Sequence, residues 1–265
     1  MQAFNYHRPT TLEDASARAA GADAKLLAGG QSLVQAMKLG LSSIGDVVDL
    51  AALKDLSAIA SDGATVTIGA MARHADVAES SQVKQAIPAL AQLAGSIGDR
   101  QVRNLGTLGG SIANNDPAAD YPAAVLALDA TIVTTTGEHP AGTFFRGLFE
   151  TALKPGEIIT AVRFPVPKRA GYAKFRHPAS RFALVGVFVA ETGSGVRVAV
   201  TGAGPCVYRL PEMEQALAAR FAPEAVAEIS VKPEGLNSDI HAAADYRAHL
   251  VTVMAKRAVE TAVNG

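Results

Sequence analysis

The stretch 105-LGTLGGSIANNDPAADYP-122 repeats a device already present in 28-AGGQSL-33: two adjacent glycines with a serine close behind, at the mouth of a helix-like run. Glycine has no Cβ, so it turns through left-handed backbone and lets another group come close to the main chain. A bend of this kind entering a helix aims several N–H groups at one point, and the helix dipole adds to them, which suits a phosphate. In 28–32 the glycines make the turn and Ser32 adds a hydroxyl donor. In 107–111 the pair is flanked by Thr107 and Ser111. Two such bends can grip one diphosphate from both sides with no excess of lysine or arginine. Each bend alone reads better as a helix entry where glycine eases packing; it is the pair, with matching neighbours, that favours a ligand. Neither bend is GxGxxG and no GxxxxGK[ST] occurs, so a Rossmann nicotinamide site and a P-loop are poorly supported. The fragment 202-GAG-204, followed by Pro205, reads as a turn at a strand end.

Around the first bend the chain alternates short strands and helices. Thr10 or Thr11 caps a helix, with Glu13 and Asp14 in a capping-box pattern and Gly21 as its stop. Residues 31–39 read as a helix ended by Gly40, and 46-DVVDL-50 as a buried strand. From 58 to 69 the pattern is β-rich. Helices are expected at 73–80 and 81–94, a glycine-rich loop over 95–120, a helix at 121–130, and strands at 130–135 and 156–164. The segment 165-PVPKRAG-171 marks a boundary. Beyond it three strands are expected (172–177, 184–191, 195–204), then helices near 211–220, 222–229 and 240–262. The fold class is α+β, with two domains meeting near residue 168.

With 265 residues, 49 % of them hydrophobic and 18 % charged, the chain has the composition of an ordinary globular protein. Its net charge of −1 gives no electrostatic case for nucleic acid or an anionic membrane. No apolar run reaches the length of a membrane span. The start, MQAFNYHRPT, has neither a basic n-region nor an apolar h-region, so a cytoplasmic location is expected. The single cysteine, Cys206, can form no internal disulfide and hold no iron–sulfur cluster. Six scattered histidines make no HxxxH or HExxH pair, so no metal is expected on this chain. Redox chemistry here would need an organic cofactor or a partner.

Several polar residues near the bends have two readings each. Asp116 and Asp120 suit ribose or ribityl hydroxyls. Asp116 reads better as the cap of the turn before Pro117, and Asp120 equally well as the N-cap of the helix at Tyr121. On 172-YAKFRH-177, period-two alternation puts Tyr172, Lys174 and Arg176 on one strand face. A cation there would stabilise an anionic reduced flavin, but pattern alone favours a solvated face. Asp99, Arg100 and Arg103 read as surface-loop charges or a docking surface.

Taken together and in order, 28-AGGQSLVQAMKLGL-41, 67-TIGAMARHADV-77, 97-IGDRQVRNLGTLGGSIANNDPAADYPAAVLALDATIV-133 and 172-YAKFRHPASRFALVGV-187 resemble the medium, FAD-binding subunit of molybdenum hydroxylases. That group includes carbon monoxide dehydrogenase and the bacterial multi-subunit xanthine, aldehyde and N-heterocycle dehydrogenases. The resemblance covers nearly the whole chain. It implies a vanillyl-alcohol-oxidase-type FAD-binding domain over 1–168, in subdomains of about 1–55 and 56–168. A C-terminal domain over 169–265 would carry a three-stranded antiparallel sheet and helices. It implies noncovalent FAD with its diphosphate between Ala28, Gly29, Gly30, Gln31, Ser32 and Leu33 on one side and Thr107, Leu108, Gly109, Gly110 and Ser111 on the other. Asp120 would be the flavin-site aspartate, with Ile97, Gly98 and Lys174 near the flavin. One departure is Gly40, which stands where the family pattern has an arginine. No catalytic residue is implied on this chain. The implied partners are a large molybdenum-cofactor subunit and a small subunit with two [2Fe–2S] clusters, as a dimer of heterotrimers. The alternatives are a free-standing flavin oxidoreductase and a structural subunit without flavin.

Overall fold

The computed structural model describes residues 2–264. The chain opens with β1 (Asn5–His7), α1 (Leu12–Ala19), β2 (Ala24–Leu27), α2 (Leu33–Lys38) and β3 (Asp46–Asp49). β3 is the middle strand, parallel to both β1 and β2. Its alternation serves two small cores: Val47 packs with Met37 of α2 and Ile44, and Val48 with Ala15 of α1. The Thr11 hydroxyl caps α1 at the Asp14 amide. α2 is shorter than the expected 31–39 but ends where expected. Gly40 lies at φ +72°, with its amide on the Met37 carbonyl and the Leu41 amide on that of Ala36. This is a Schellman stop, and glycine carries it without steric cost.

Next come β4 (Ile59–Ser61) and β5 (Thr65–Gly69), then a run of short helices: α3 (His74–Glu79), α4 (Ser81–Ala86), α5 (Pro88–Gly95), α6 (Arg100–Leu105), α7 (Leu108–Asn114) and α8 (Tyr121–Ala127). Two expectations fail here. The helix expected over 81–94 is broken at Ile87, because Pro88 excludes the residue before it from helical geometry and itself starts α5. The loop expected over 95–120 contains α6 and α7. Each is started by a side-chain cap, Asp99 to the Val102 amide at 2.9 Å and Thr107 to the Gly110 amide at 3.2 Å.

β6 (Thr131–Thr134), β7 (Glu138–Pro140), the single turn α9 (Ala141–Phe144), the hairpin β8 (Phe145–Gly147) and β9 (Glu150–Thr151), and β10 (Ile159–Pro165) follow. β6, β7 and β10 complete an antiparallel sheet of order β4-β5-β10-β6-β7, and β8 pairs with β9 alone. The remaining elements are β11 (Arg169–Arg176), β12 (Ala183–Thr192), β13 (Gly195–Thr201), β14 (Tyr208–Arg209), α10 (Pro211–Ala219), α11 (Glu224–Ala227) and α12 (Ala244–Asn264). Here three long antiparallel strands are joined by the two-residue β14. α11 and the start of α12 are shorter than the sequence suggests.

β12 is buried on both faces, which is why 184-LVGVFVA-190 is almost continuously apolar. Val185, Val187 and Val189 face the α12 core, whereas Phe188 and Ala190 join the main core with Leu90, Leu108, Ile112 and Tyr121. One hydrophobic body thus runs from the five-stranded sheet into the C-terminal one. At Gly171 a β-carbon would lie 2.0 Å from the Ala258 carbonyl oxygen, so α12 packs directly on bare backbone. Among the described residues no helix is long and apolar enough to cross a membrane, and no cluster of His, Cys, Asp and Glu has the makings of a metal site.

A buried carboxylate pins the turn before β10. Glu157 accepts from Thr134 Oγ1 at 2.6 Å and from the Lys154 amide at 2.9 Å, and lies 2.7 Å from His139 Nε2. Burial pushes its pKa up, but these hydrogen bonds outweigh burial and hold it at about 2, against an ordinary 4.5. Between those values the unfolded chain binds the proton more tightly than the folded one, so stability falls as pH drops from 4.5 toward 2. Glu157→Gln is expected to flatten this part of the acid limb in a series of thermal melts. A limb parallel to that of the native chain would contradict it.

Candidate cofactor site at two glycine bends

β2 ends at Leu27, and the chain turns at once through Ala28, Gly29 and Gly30. Gly30 has φ +69°, a conformation that L side chains rarely adopt. At Gly29 a β-carbon would lie 2.1 Å from the Leu105 carbonyl oxygen and 2.6 Å from Gly106 Cα. Gly110 approaches the same place from the other side, where its missing β-carbon would be 3.6 Å from that of Ala28. The two bends, some 80 residues apart in sequence, are therefore packed against each other.

They are not equivalent. Among the described residues, the amides of Gly29, Gly30, Gln31, Ser32 and Leu33 donate to no protein acceptor. The Ser32 hydroxyl is also free and caps nothing, while Gln31 folds its amide onto the Gly29 carbonyl at 3.3 Å. Leu33 turns its side chain into the small core beneath α2. In the second bend, by contrast, the Leu108 amide donates to Ala72 (3.0 Å), Gly109 to Ala70 (2.8 Å), Gly110 to Thr107 Oγ1 (3.2 Å) and Ser111 to the Thr107 carbonyl (3.0 Å). Leu108 is a core side chain, and Gly109 is glycine because α7 presses on Ala70, where a β-carbon would be 2.6 Å from another. What the second bend leaves open is the Thr107 amide and the Ser111 hydroxyl. α2 and α7 have six and seven residues, so the dipole effect counts for less than the bare donors themselves.

The first bend thus fits a diphosphate. It offers consecutive main-chain donors, a backbone that only glycine allows, and no carboxylate hydrogen-bonded to them. Sequence reasoning missed what stands behind it. His74 is buried, its main-chain amide bonds Gly106 at 2.9 Å, and its ring occupies the space of a Gly106 β-carbon. Burial, with the Arg103 cation nearby, lowers its pKa to about 4, so it is a neutral ring. Its Nδ1 and the hydroxyl of Tyr121, whose ring centroid is 5.4 Å away, have no hydrogen-bond partner. The position of His74 in 67-TIGAMARHADV-77 was visible, but nothing local announces its burial.

Asp120, Tyr172 and Lys174 form a second cluster. Asp120 occupies the N-cap position of α8 yet caps nothing. Its carboxylate accepts from the Tyr172 hydroxyl and from Lys174 Nζ, at 2.9 and 3.1 Å to its two oxygens. The side chains of Lys174 and Asp120 are only 3 % and 4 % exposed, which overturns the solvated strand face at Tyr172 and Lys174, whereas Arg176 on the same face is exposed as expected. Alternation placed Tyr172 and Lys174 on one face correctly; what it could not supply was the acid from another element that covers them. Burial, reinforced by Asp120, raises the Tyr172 hydroxyl well above its ordinary range, so it stays a donor. Asp116 does cap its turn, at the Ala118 amide (2.9 Å). Ile97 packs on the main core, and Gly98 bends at φ +47° beside it.

Bare amides between two packed glycine bends define a site suited to a nucleotide diphosphate. Residues 2–167 match the FAD binding domain in molybdopterin dehydrogenase. The chain belongs to that family, the FAD-binding flavoprotein subunits of molybdenum-containing oxidoreductases. It is 34 % identical to the carbon monoxide dehydrogenase medium chain of Hydrogenophaga pseudoflava, over 98 % of this chain and 96 % of the relative. It is equally similar, at 34 %, to the nicotine 6-hydroxylase medium subunit of Paenarthrobacter nicotinovorans, over 98 % of this chain and 97 % of the relative. A solved structure of the Hydrogenophaga pseudoflava carbon monoxide dehydrogenase superimposes with a TM-score of 0.90 over 99 % of this chain and 98 % of that one, at 34 % identity.

Removing one partner of a buried ion pair strands the other charge, at a cost of about 3–5 kcal/mol. Lys174→Met is expected to destabilise the chain on that scale in denaturant titrations, and adding Asp120→Asn should recover part of the loss. A single variant as stable as the native chain would contradict the buried pair.

Proposed function

We propose that the chain is the electron-transfer subunit of a three-subunit molybdenum hydroxylase, with noncovalent FAD at the glycine bends. A large molybdenum-cofactor subunit would hydroxylate the substrate with oxygen drawn from water, and a small subunit with two [2Fe–2S] clusters would pass electrons singly. When bound, FAD joins that one-electron supply to a two-electron acceptor. The lone Cys206 supports the division of labour, since this chain cannot ligate a cluster. The proposed assembly is a dimer of heterotrimers in the cytoplasm. Within the chain, 1–168 would hold the cofactor, in parts of about 1–55 and 56–168, and 169–265 would close over it.

One observation carries this reading: the run of unpartnered amides at Gly29–Leu33, fixed against a second bend by a contact that excludes any side chain. These donors, with Ser32, Thr107 and Ser111, would hold the diphosphate; Ala28, Gly109 and Gly110 would shape the cleft. Ile97, Gly98, Asp120 and Lys174 would lie toward the ring system. Because Asp120 balances Lys174, this pair would offer a fixed dipole and a buried donor rather than a free cation.

Native purification is expected to give a yellow protein whose FAD is released by acid and which carries two other chains; a colourless monomer would contradict the proposal. In folded material, Gly29→Ala and Gly110→Val should each lower FAD affinity by at least about tenfold, or about 1.4 kcal/mol. Full FAD content in Gly110→Val would remove the second bend from the site.

A further inference from the structure

α6 and the bend before it close on themselves. Arg103 Nη1 reaches back to the carbonyl oxygens of Ile97 at 3.0 Å and Gly98 at 3.5 Å. The Arg103 main-chain amide donates to the Asp99 carbonyl at 3.0 Å, and the Asp99 carboxylate caps the Val102 amide. Gly98 is turned over Val102 so tightly that a β-carbon would lie 3.0 Å from the valine. A guanidinium usually seeks a carboxylate in the fork geometry that suits it; among the described residues, the hydrogen bonds of this one go to two consecutive main-chain carbonyls. At its other end α6 delivers the Leu105–Gly106 peptide, with Gly29 on one side and the His74 ring on the other. Helix, bend and peptide are joined in one piece, and among the described residues Arg103 is the one side chain hydrogen-bonded across the Ile97–Gly98 bend.

We propose that Arg103 is a positioning residue: it locks the Ile97–Gly98 bend onto α6 and thereby seats the Leu105–Gly106 peptide between the two glycine bends. It acts through the main chain it holds and not by touching the cofactor. Where it concerns FAD, the inference rests on the function proposed above; the clasp itself does not.

Arg103→Met keeps the bulk and loses the donors, and Arg103→Gln keeps a donor too short to reach. Both are to be compared with the native chain in its assembled complex. Amide hydrogen exchange across residues 96–106 is expected to quicken about fivefold or more in either variant. Unchanged exchange would overturn the clasp, and should the methionine variant not fold, the glutamine variant decides it. In the same samples FAD content is expected to stay within about twofold of native, while the visible circular dichroism of the flavin changes. An unaltered flavin spectrum would overturn the positioning role, and so would loss of FAD from a folded variant, which would make Arg103 a direct ligand. A native complex without FAD would instead defeat the proposed function and leave the exchange measurement to judge the clasp.

Discussion

Gly29 against the Leu105–Gly106 peptide is the contact on which the rest depends. With a β-carbon at 2.1 Å from a carbonyl oxygen, no other residue fits without moving one of the two bends. Because they meet there, the free amides of 29–33 belong to a bend packed against the Leu105–Gly106 peptide, with Gly110 close to Ala28. The second bend gives up two of its amides, those of Leu108 and Gly109, to the Ala72 and Ala70 carbonyls, which tie it to the end of β5. One bend is thus anchored to the five-stranded sheet, and the other rests on it with its donors unspent. Spent and unspent amides are divided between two motifs that look alike in sequence.

The electrostatics follow from that division. A net charge of −1 gives the chain no general pull on an anionic ligand, and fixed dipoles work where water and competing charge are kept out. Beside the bends Arg103 remains a cation held by main-chain carbonyls, while the other titratable side chains of the two clusters contribute no net charge. His74 is uncharged by burial, Lys174 and Asp120 cancel within a buried pair, and the Tyr172 hydroxyl remains protonated. The cost of burying that pair is offset by its satisfaction: the carboxylate has three hydrogen bonds from two donors.

Much of this was legible in the sequence. Paired glycines marked both bends, Gly40 marked the end of α2, and the apolar run 184–191 marked the strand β12. The family resemblance supplied the fold and the cofactor. The unread parts share a physical cause. α7 was hidden because glycine at 109 and 110 depresses helix propensity, and tertiary contacts with Ala70 and Ala72 outweigh it, while α6 is a six-residue helix too short to show a periodic pattern; the caps at Asp99 and Thr107 start them. The burial of Lys174 depends on a residue 54 positions away. His74, likewise, is placed by a peptide that comes from another segment. Local pattern reports which face a side chain takes, but not what will cover that face.

A density map of the assembled complex with FAD bound tests the central claim most directly. It should show diphosphate oxygens within hydrogen-bonding distance of the main-chain nitrogens of residues 29–33, with the Leu105–Gly106 peptide still packed on Gly29. A diphosphate held by side-chain cations elsewhere, with those nitrogens facing water, would contradict it.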